Sequence, residues 1–140
     1  FQIWFDPGVQ KALYRKPTYH EFKHEDFLIE KTEGAAAKII LGKGSPILLQ
    51  SDATLKDISI EDGHAFQHTL NQGKTLALVV ISGKGMVFDI QNGTKYYINK
   101  KDFALIHAKQ KGRISIHADS TFRLAALEVP SQVSYPLYRN

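Results

Sequence analysis

Cysteine is absent from the 140 residues, so neither a disulfide framework nor thiolate metal ligation is available, and any metal would rest on histidine and carboxylate. A reducing, cytoplasmic compartment is the expectation. No stretch approaches eighteen uninterrupted apolar residues, and the aromatic start Phe1-Gln2-Ile3-Trp4-Phe5 lacks the basic region and apolar core of a signal peptide, which reads as a soluble protein with no membrane partner. No segment sustains an apolar period of 3.6 residues, so long amphipathic helices are excluded. Acidic charge is in deficit, at a net +4 and a pI near 9.2. The Lys and Arg residues are nevertheless scattered singly, and only Lys109, Lys111 and Arg113 approach a cluster, so a solvated basic surface and no nucleic-acid partner are expected. The composition, 43% hydrophobic and 23% charged, fits one globular domain with a core able to stand alone. The chain begins with Phe, inside what reads as a strand, which points to a piece of something longer.

What the sequence has in abundance is turns. Gly63, Gly73, Gly83 and Gly93 stand ten residues apart, and the rhythm continues at Lys101-Asp102, Gly112 and Asp119-Ser120. A strand of about five to seven residues plus a tight turn takes about ten residues, so the ladder predicts consecutive antiparallel strands closing into a small barrel or sandwich. The runs predicted as strands are Ala36 to Leu41, Ile47 to Gln50, Thr54 to Ile60, Ala65 to Leu70, Thr75 to Ile81, Met86 to Ile90, Lys95 to Asn99, Phe103 to His107, Arg113 to His117 and Thr121 to Val129. Gln91-Asn92-Gly93-Thr94 is the clearest hairpin turn. Residues 1–32 differ in character, with Phe1, Trp4, Phe5, Tyr14, Tyr19 and Phe22 interrupted by Asp6-Pro7-Gly8 and Pro17. They read as an extended connector and first strands, followed by a barrel over 33–130 and a tail over 131–140. Trp4 is expected to be a packing anchor.

Between Gly63 and Ala108 the ladder resembles the two signature stretches of the cupins. Gly63 and Gly83 frame the first stretch. Counting inward, the two histidine positions fall on Thr69 and Asn71 and the glutamate position on Leu76. In the second stretch Asn99 and Lys101 stand where the family has Pro and Gly, and the last histidine position is Ala104. Leu and Ala carry no donor atom and Thr and Asn are weak ligands, so no metal and no catalytic residue are assigned to this chain. Slipping the register by one brings His68 into the first position and recovers none of the others.

The opening Gln2-Ile3-Trp4, the later Pro17-Thr18-Tyr19 and the run from Lys38-Ile39-Ile40-Leu41-Gly42 through Gly44-Ser45-Pro46 to Leu49-Gln50-Ser51-Asp52-Ala53 resemble the second cupin of pirin-family, quercetinase-like bicupins. The resemblance implies an all-β fold, an antiparallel cupin-type β-barrel or jelly-roll-like double-stranded β-helix. It further implies that Fe, Ni, Cu or Zn belongs to an N-terminal cupin that this chain lacks, and that this second cupin is metal-free. Its partners would be that missing domain, a second copy of the chain or a small molecule.

Other histidines offer little. His20-Glu21-Phe22-Lys23-His24 matches the His-Glu-x-x-His pattern, whose zinc chemistry needs both imidazoles on one helix face. Pro17, Tyr19 and Phe22 favour extended chain there, which would hold the imidazoles about 13 Å apart. His64 and His68, the fallback metal pair, are likewise four apart on a strand, and His107 and His117 close adjacent strands. Gly42-Lys43-Gly44 and Gly83-Lys84-Gly85 read as hairpin turns, lacking the length of a phosphate loop.

Strand parity supplies the last expectation. If Thr69, Leu76 and Ala104 face inward, then Ala65, Gln67, Leu78, Val80 and Ile106 do too, and Gln67, Thr69, Leu76 and Ala104 form the barrel pocket. Phe66, Leu70, Ala77, Val79, Ile81, Phe103 and Leu105 then face the other way. Thr75 to Ile81 is apolar on both sides and needs a second covering layer. Trp4, Phe66, Val79, Ile81 and Phe103 are the expected interface with a partner domain. Three functions compete: a metal-free structural cupin, a quercetinase-like dioxygenase in the full-length protein, and an apolar-ligand binder.

Overall fold

The four evenly spaced glycines are turns in which the backbone crosses to positive φ: 75° at Gly63, 75° at Gly73, 80° at Gly83 and 66° at Gly93. Only glycine enters this region without a Cβ penalty, which is why these four positions are glycine. The structure is a computed structural model that describes residues 2–6, 8 and 12–136. Phe1, residues 7 and 9–11 of the expected connector and residues 137–140 of the expected tail lie outside them.

Among the described residues, ten strands follow a 3-10 turn at His24–Asp26: β1 Ile29–Thr32, β2 Ala35–Leu41, β3 Thr54–Ile60, β4 Ala65–Leu70, β5 Lys74–Ser82, β6 Lys84–Asp89, β7 Thr94–Asn99, β8 Phe103–His107, β9 Gly112–Ala118 and β10 Phe122–Pro130. They form two antiparallel sheets, one in the order β1-β2-β3-β10-β5-β8 and one in the order β4-β9-β6-β7. The fold is an all-β sandwich, as the ladder predicts. Among the described residues no helix is long and apolar enough to cross a membrane.

One predicted strand is missing. Residues 47–50 are irregular, within a connection from Gly42 to Ala53. Gly42 and Gly44 turn the chain at positive φ, the Ser45 hydroxyl donates to Ile40 O and accepts from Ile47 N–H, and Pro46 removes a ladder donor. Leu48 therefore projects into solvent, 94% exposed.

Alternate residues of most strands meet in one core between the sheets, while β1 is exposed throughout. The large sheet contributes Ile58, Ile60, Leu76, Leu78, Val80, Phe122 and Leu124, and the small sheet contributes Phe66, Leu70, Val87, Ile98, Ile114 and Ile116. Burial of each such side chain is worth about 1.5–3 kcal/mol.

Candidate functional site

Strand β4 decides what the barrel interior contains. Its alternation buries Phe66, His68 and Leu70 and exposes Gln67 and Thr69. This corrects the parity expected from motif spacing: two large apolar residues, Phe66 and Leu70, outweigh the position of a threonine, so β4 turns the other way. Gln67 lies on the outer surface, where its amide donates to Ser115 Oγ at 2.7 Å. Thr69 shares that surface, opposite Arg113. Leu76 and Ala104 do point inward, Leu76 fully buried and Ala104 packed on the core. The four expected pocket residues are thus split, two inside and two outside. Phe66, expected at an interface, is a core residue 7% exposed.

With β4 in this orientation, His68 enters the sandwich and meets a residue that motif spacing passes over. His68 Nε2 lies 3.0 Å from Glu128 Oε2, and both residues are only 9% exposed. Glu128 comes from β10 and is flanked by Thr54 of β3 and Leu76 of β5. The pair therefore joins the small sheet to the large one. The signal for it is present in β10, where Phe122, Leu124, Ala126 and Glu128 share one parity and Glu128 is the single charged member.

The residues at the motif positions do not fit a first-row metal. Leu76 and Ala104 offer no atom, Thr69 faces away, and among the described residues no group of three His, Cys, Asp or Glu side chains converges. His64 does not join His68, because it sits in the β3–β4 turn with Nδ1 3.0 Å from Asp62 O and its ring against Gly34. His20 to His24 contains no helix, only extended chain leading into the 3-10 turn. His107 and His117 occupy different sheets, His107 beside the Thr75 hydroxyl at 2.9 Å and His117 beside that of Ser115 at 2.9 Å.

Two of the concavities among the described residues involve the expected site residues Ala104, Val79, Ile81 and Phe103. Between β7 and β8, which form the open edges of the two sheets, lies a cleft of about 550 Å³ whose walls include Val87, Tyr96, Ile98, Ala104 and Ile106. It continues past Asp89 and His107 toward a cavity of about 430 Å³ beside Leu70 and Ile114. The second concavity, about 530 Å³, lies on the outer face of the large sheet among Ile3, Leu55, Val79, Ile81, Phe103 and Leu127. Val79, Ile81 and Phe103 are thus together on one face, with Phe103 61% exposed. Trp4 does not act as a packing anchor, since it is 85% exposed. At the rim of this face Arg123 donates from Nε and Nη2 to both carboxylate oxygens of Asp57, at 2.9 and 2.7 Å. That hydrogen bonding holds the Asp57 carboxyl below its ordinary range despite partial desolvation, with the Lys38 charge assisting.

The sandwich, its strand order and its inward ligand positions can be set against known structures. The protein GK1651 from Geobacillus kaustophilus superposes with a TM-score of 0.71 at 16% identity, covering 87% of this chain and 50% of that one. Quercetin 2,3-dioxygenase from Acinetobacter baumannii, a cupin, superposes with a TM-score of 0.69 at 17% identity, covering 87% of this chain and 43% of that one. The fold is that of a cupin.

Pac13, a nucleoside dehydratase, superposes with a TM-score of 0.61 at 16% identity, covering 81% of this chain and 83% of that one. The chain spans about half the length of the first two neighbours. No protein-family model and no curated protein matches the sequence. Lys101, which stands where the family has glycine, is the one non-glycine residue at positive φ among the described residues, at 78°.

Proposed function

We propose that this chain is the metal-free second cupin of a pirin-like, quercetinase-like bicupin, acting as a structural and docking module beside a metal-bearing first cupin. The observation that carries this reading is the filling of the barrel: Leu76, fully buried, and Ala104, packed on the core, stand where ligands would be needed. Two surfaces are suited to the partner domain. One is the apolar outer face around Val79, Ile81 and Phe103. The other is the connector, whose Trp4, Leu13, Tyr14 and Tyr19 are between 71% and 93% exposed. Large apolar side chains gathered on one face mark an interaction site.

Elemental analysis of the purified chain tests the first half of the proposal; stoichiometric Fe, Ni, Cu or Zn would refute it. The second half is tested by adding a separately produced N-terminal cupin: Val79→Lys with Ile81→Lys should abolish co-elution, and unchanged co-elution would refute the assigned surface. The cleft between β7 and β8 favours a second reading, a pocket for a small apolar ligand, with Ala104 in its wall. In that case Ala104→Trp should remove binding of an apolar fluorescent probe such as anilinonaphthalene sulfonate. A quercetinase-like reaction is assigned to the full-length protein alone, and flavonol turnover by this chain, lost on chelation, would overturn that assignment.

A further inference from the structure

The basic residues that look scattered along the sequence are gathered by strand pairing. From Lys84 to Arg113 there are seven basic residues and two acidic ones, a net +5 that exceeds the +4 of the whole chain. The register of the small sheet places Lys84, Met86 and Phe88 of β6, Lys95, Tyr97 and Asn99 of β7, Arg113, Ser115 and His117 of β9, and Gln67 and Thr69 of β4 on its outer face. No Asp or Glu is among these residues. The two acids of the segment are turned into their own turns, Asp89 accepting from the Gln91 and Asn92 amides and Asp102 from the Asn99 amide.

Aromatic residues are interleaved with these cations. Tyr97 is 73% exposed, and Lys95 Nζ stands 5.7 Å from the centroid of the Phe88 ring. On the far side of the sheet, Gln67 of β4 is held by its amide donation to Ser115 of β9, which in turn contacts His117 Nε2 at 2.9 Å. A β-sheet face that offers an exposed ring, Tyr97, and a half-buried one, Phe88, among cations, with fixed polar side chains beside them, matches what unstacked bases on a phosphate chain require. Duplex DNA hides its base faces and offers the rings nothing to stack on. A polyanion without bases would use the cations and leave Tyr97 idle.

We propose that the outer face of the four-stranded sheet, centred on Tyr97, Lys95 and Arg113, binds single-stranded nucleic acid. The site does not depend on the bicupin reading, since it uses neither the barrel interior nor the outer face of the large sheet.

Fluorescence anisotropy of the 140-residue chain with labelled oligo-dT and oligo-U of twelve nucleotides tests it. Three phosphate contacts, from Lys84, Lys95 and Arg113, give a single-strand slope near −2, so affinity should fall about twenty-fold between about 50 and 200 mM salt. Tyr97→Ala should weaken binding about fivefold or more. Lys95→Glu with Arg113→Glu should remove it, while Lys31→Glu, on an edge of the other sheet, should leave it unchanged; circular dichroism checks that each variant is folded. The proposal is overturned by absence of binding at about 50 mM salt, where the electrostatic contribution is large. It is equally overturned if Tyr97→Ala has no effect, or if duplex DNA or inorganic polyphosphate competes as well as the single strand.

Discussion

The His68–Glu128 pair makes a quantitative claim about how the two sheets are held. Both residues are 9% exposed and their polar atoms are 3.0 Å apart, so neither can turn to bulk water if the other is removed. Truncation of one partner leaves a buried polar group unsatisfied, a cost of about 1–3 kcal/mol, rising to about 3–5 kcal/mol where a buried charge is stranded. His68→Leu should therefore destabilise the protein by about 3 kcal/mol and Glu128→Leu by about 2 kcal/mol. The double variant leaves no orphan and replaces the pair with apolar volume, so it should lose about 1 kcal/mol, against about 5 kcal/mol by addition. Urea denaturation of the four proteins in a double-mutant cycle reads the coupling as shifts in midpoint at constant slope. A coupling energy below about 0.5 kcal/mol would mean that the sheets are held by apolar packing alone and that the pair is incidental.

Lys101→Gly should stabilise the protein by about 0.5–1 kcal/mol, because relief of the left-handed strain at φ 78° exceeds the extra freedom glycine has in the unfolded chain. Lys101→Ala, which keeps the strain, should change a thermal melt little, and equal effects of the two would refute the backbone argument. Leu76→Ala, at a site with no exposure, should cost about 3–5 kcal/mol in urea unfolding; a loss below about 1 kcal/mol would show that the barrel is not filled there. The lowered Asp57 carboxyl contributes stability that is present above the ordinary carboxylate range and is lost as pH falls through its folded-state value. Asp57→Asn should thus destabilise by less than about 1 kcal/mol at pH 7, since Arg123 is half exposed, and should flatten the acid limb of a pH titration below about pH 4.

Strand positions were legible because this chain writes them twice, in glycines at turns and in β-branched or aromatic runs between them. The run at residues 47–50 misled because apolar content alone does not make a strand; it has no pairing partner and follows Pro46. Parity was legible on β5 and β8, where either facing gives an apolar side. It was lost on β4, where counting from Gly63 to a motif position placed Thr69 inward and Phe66 outward, against their hydrophobicity. That slip also hid His68 and with it Glu128, whose partner is sixty residues earlier in the chain. Long-range pairing gathered the cations of β6, β7 and β9 as well, which no local reading of charge could show.

The position of β10 at the middle of the large sheet, between β3 and β5, sets the order in which this protein can be made. Its two neighbours are synthesised long before it, and until it arrives they have no bond to each other and no floor for Leu76, Leu78 and Ile58. A nascent chain halted before Phe122 should therefore remain a loose, chaperone-dependent meander on the ribosome. Folding should then proceed in one late step that waits on the whole barrel sequence, and slowly, as the sequence separation of these pairings requires.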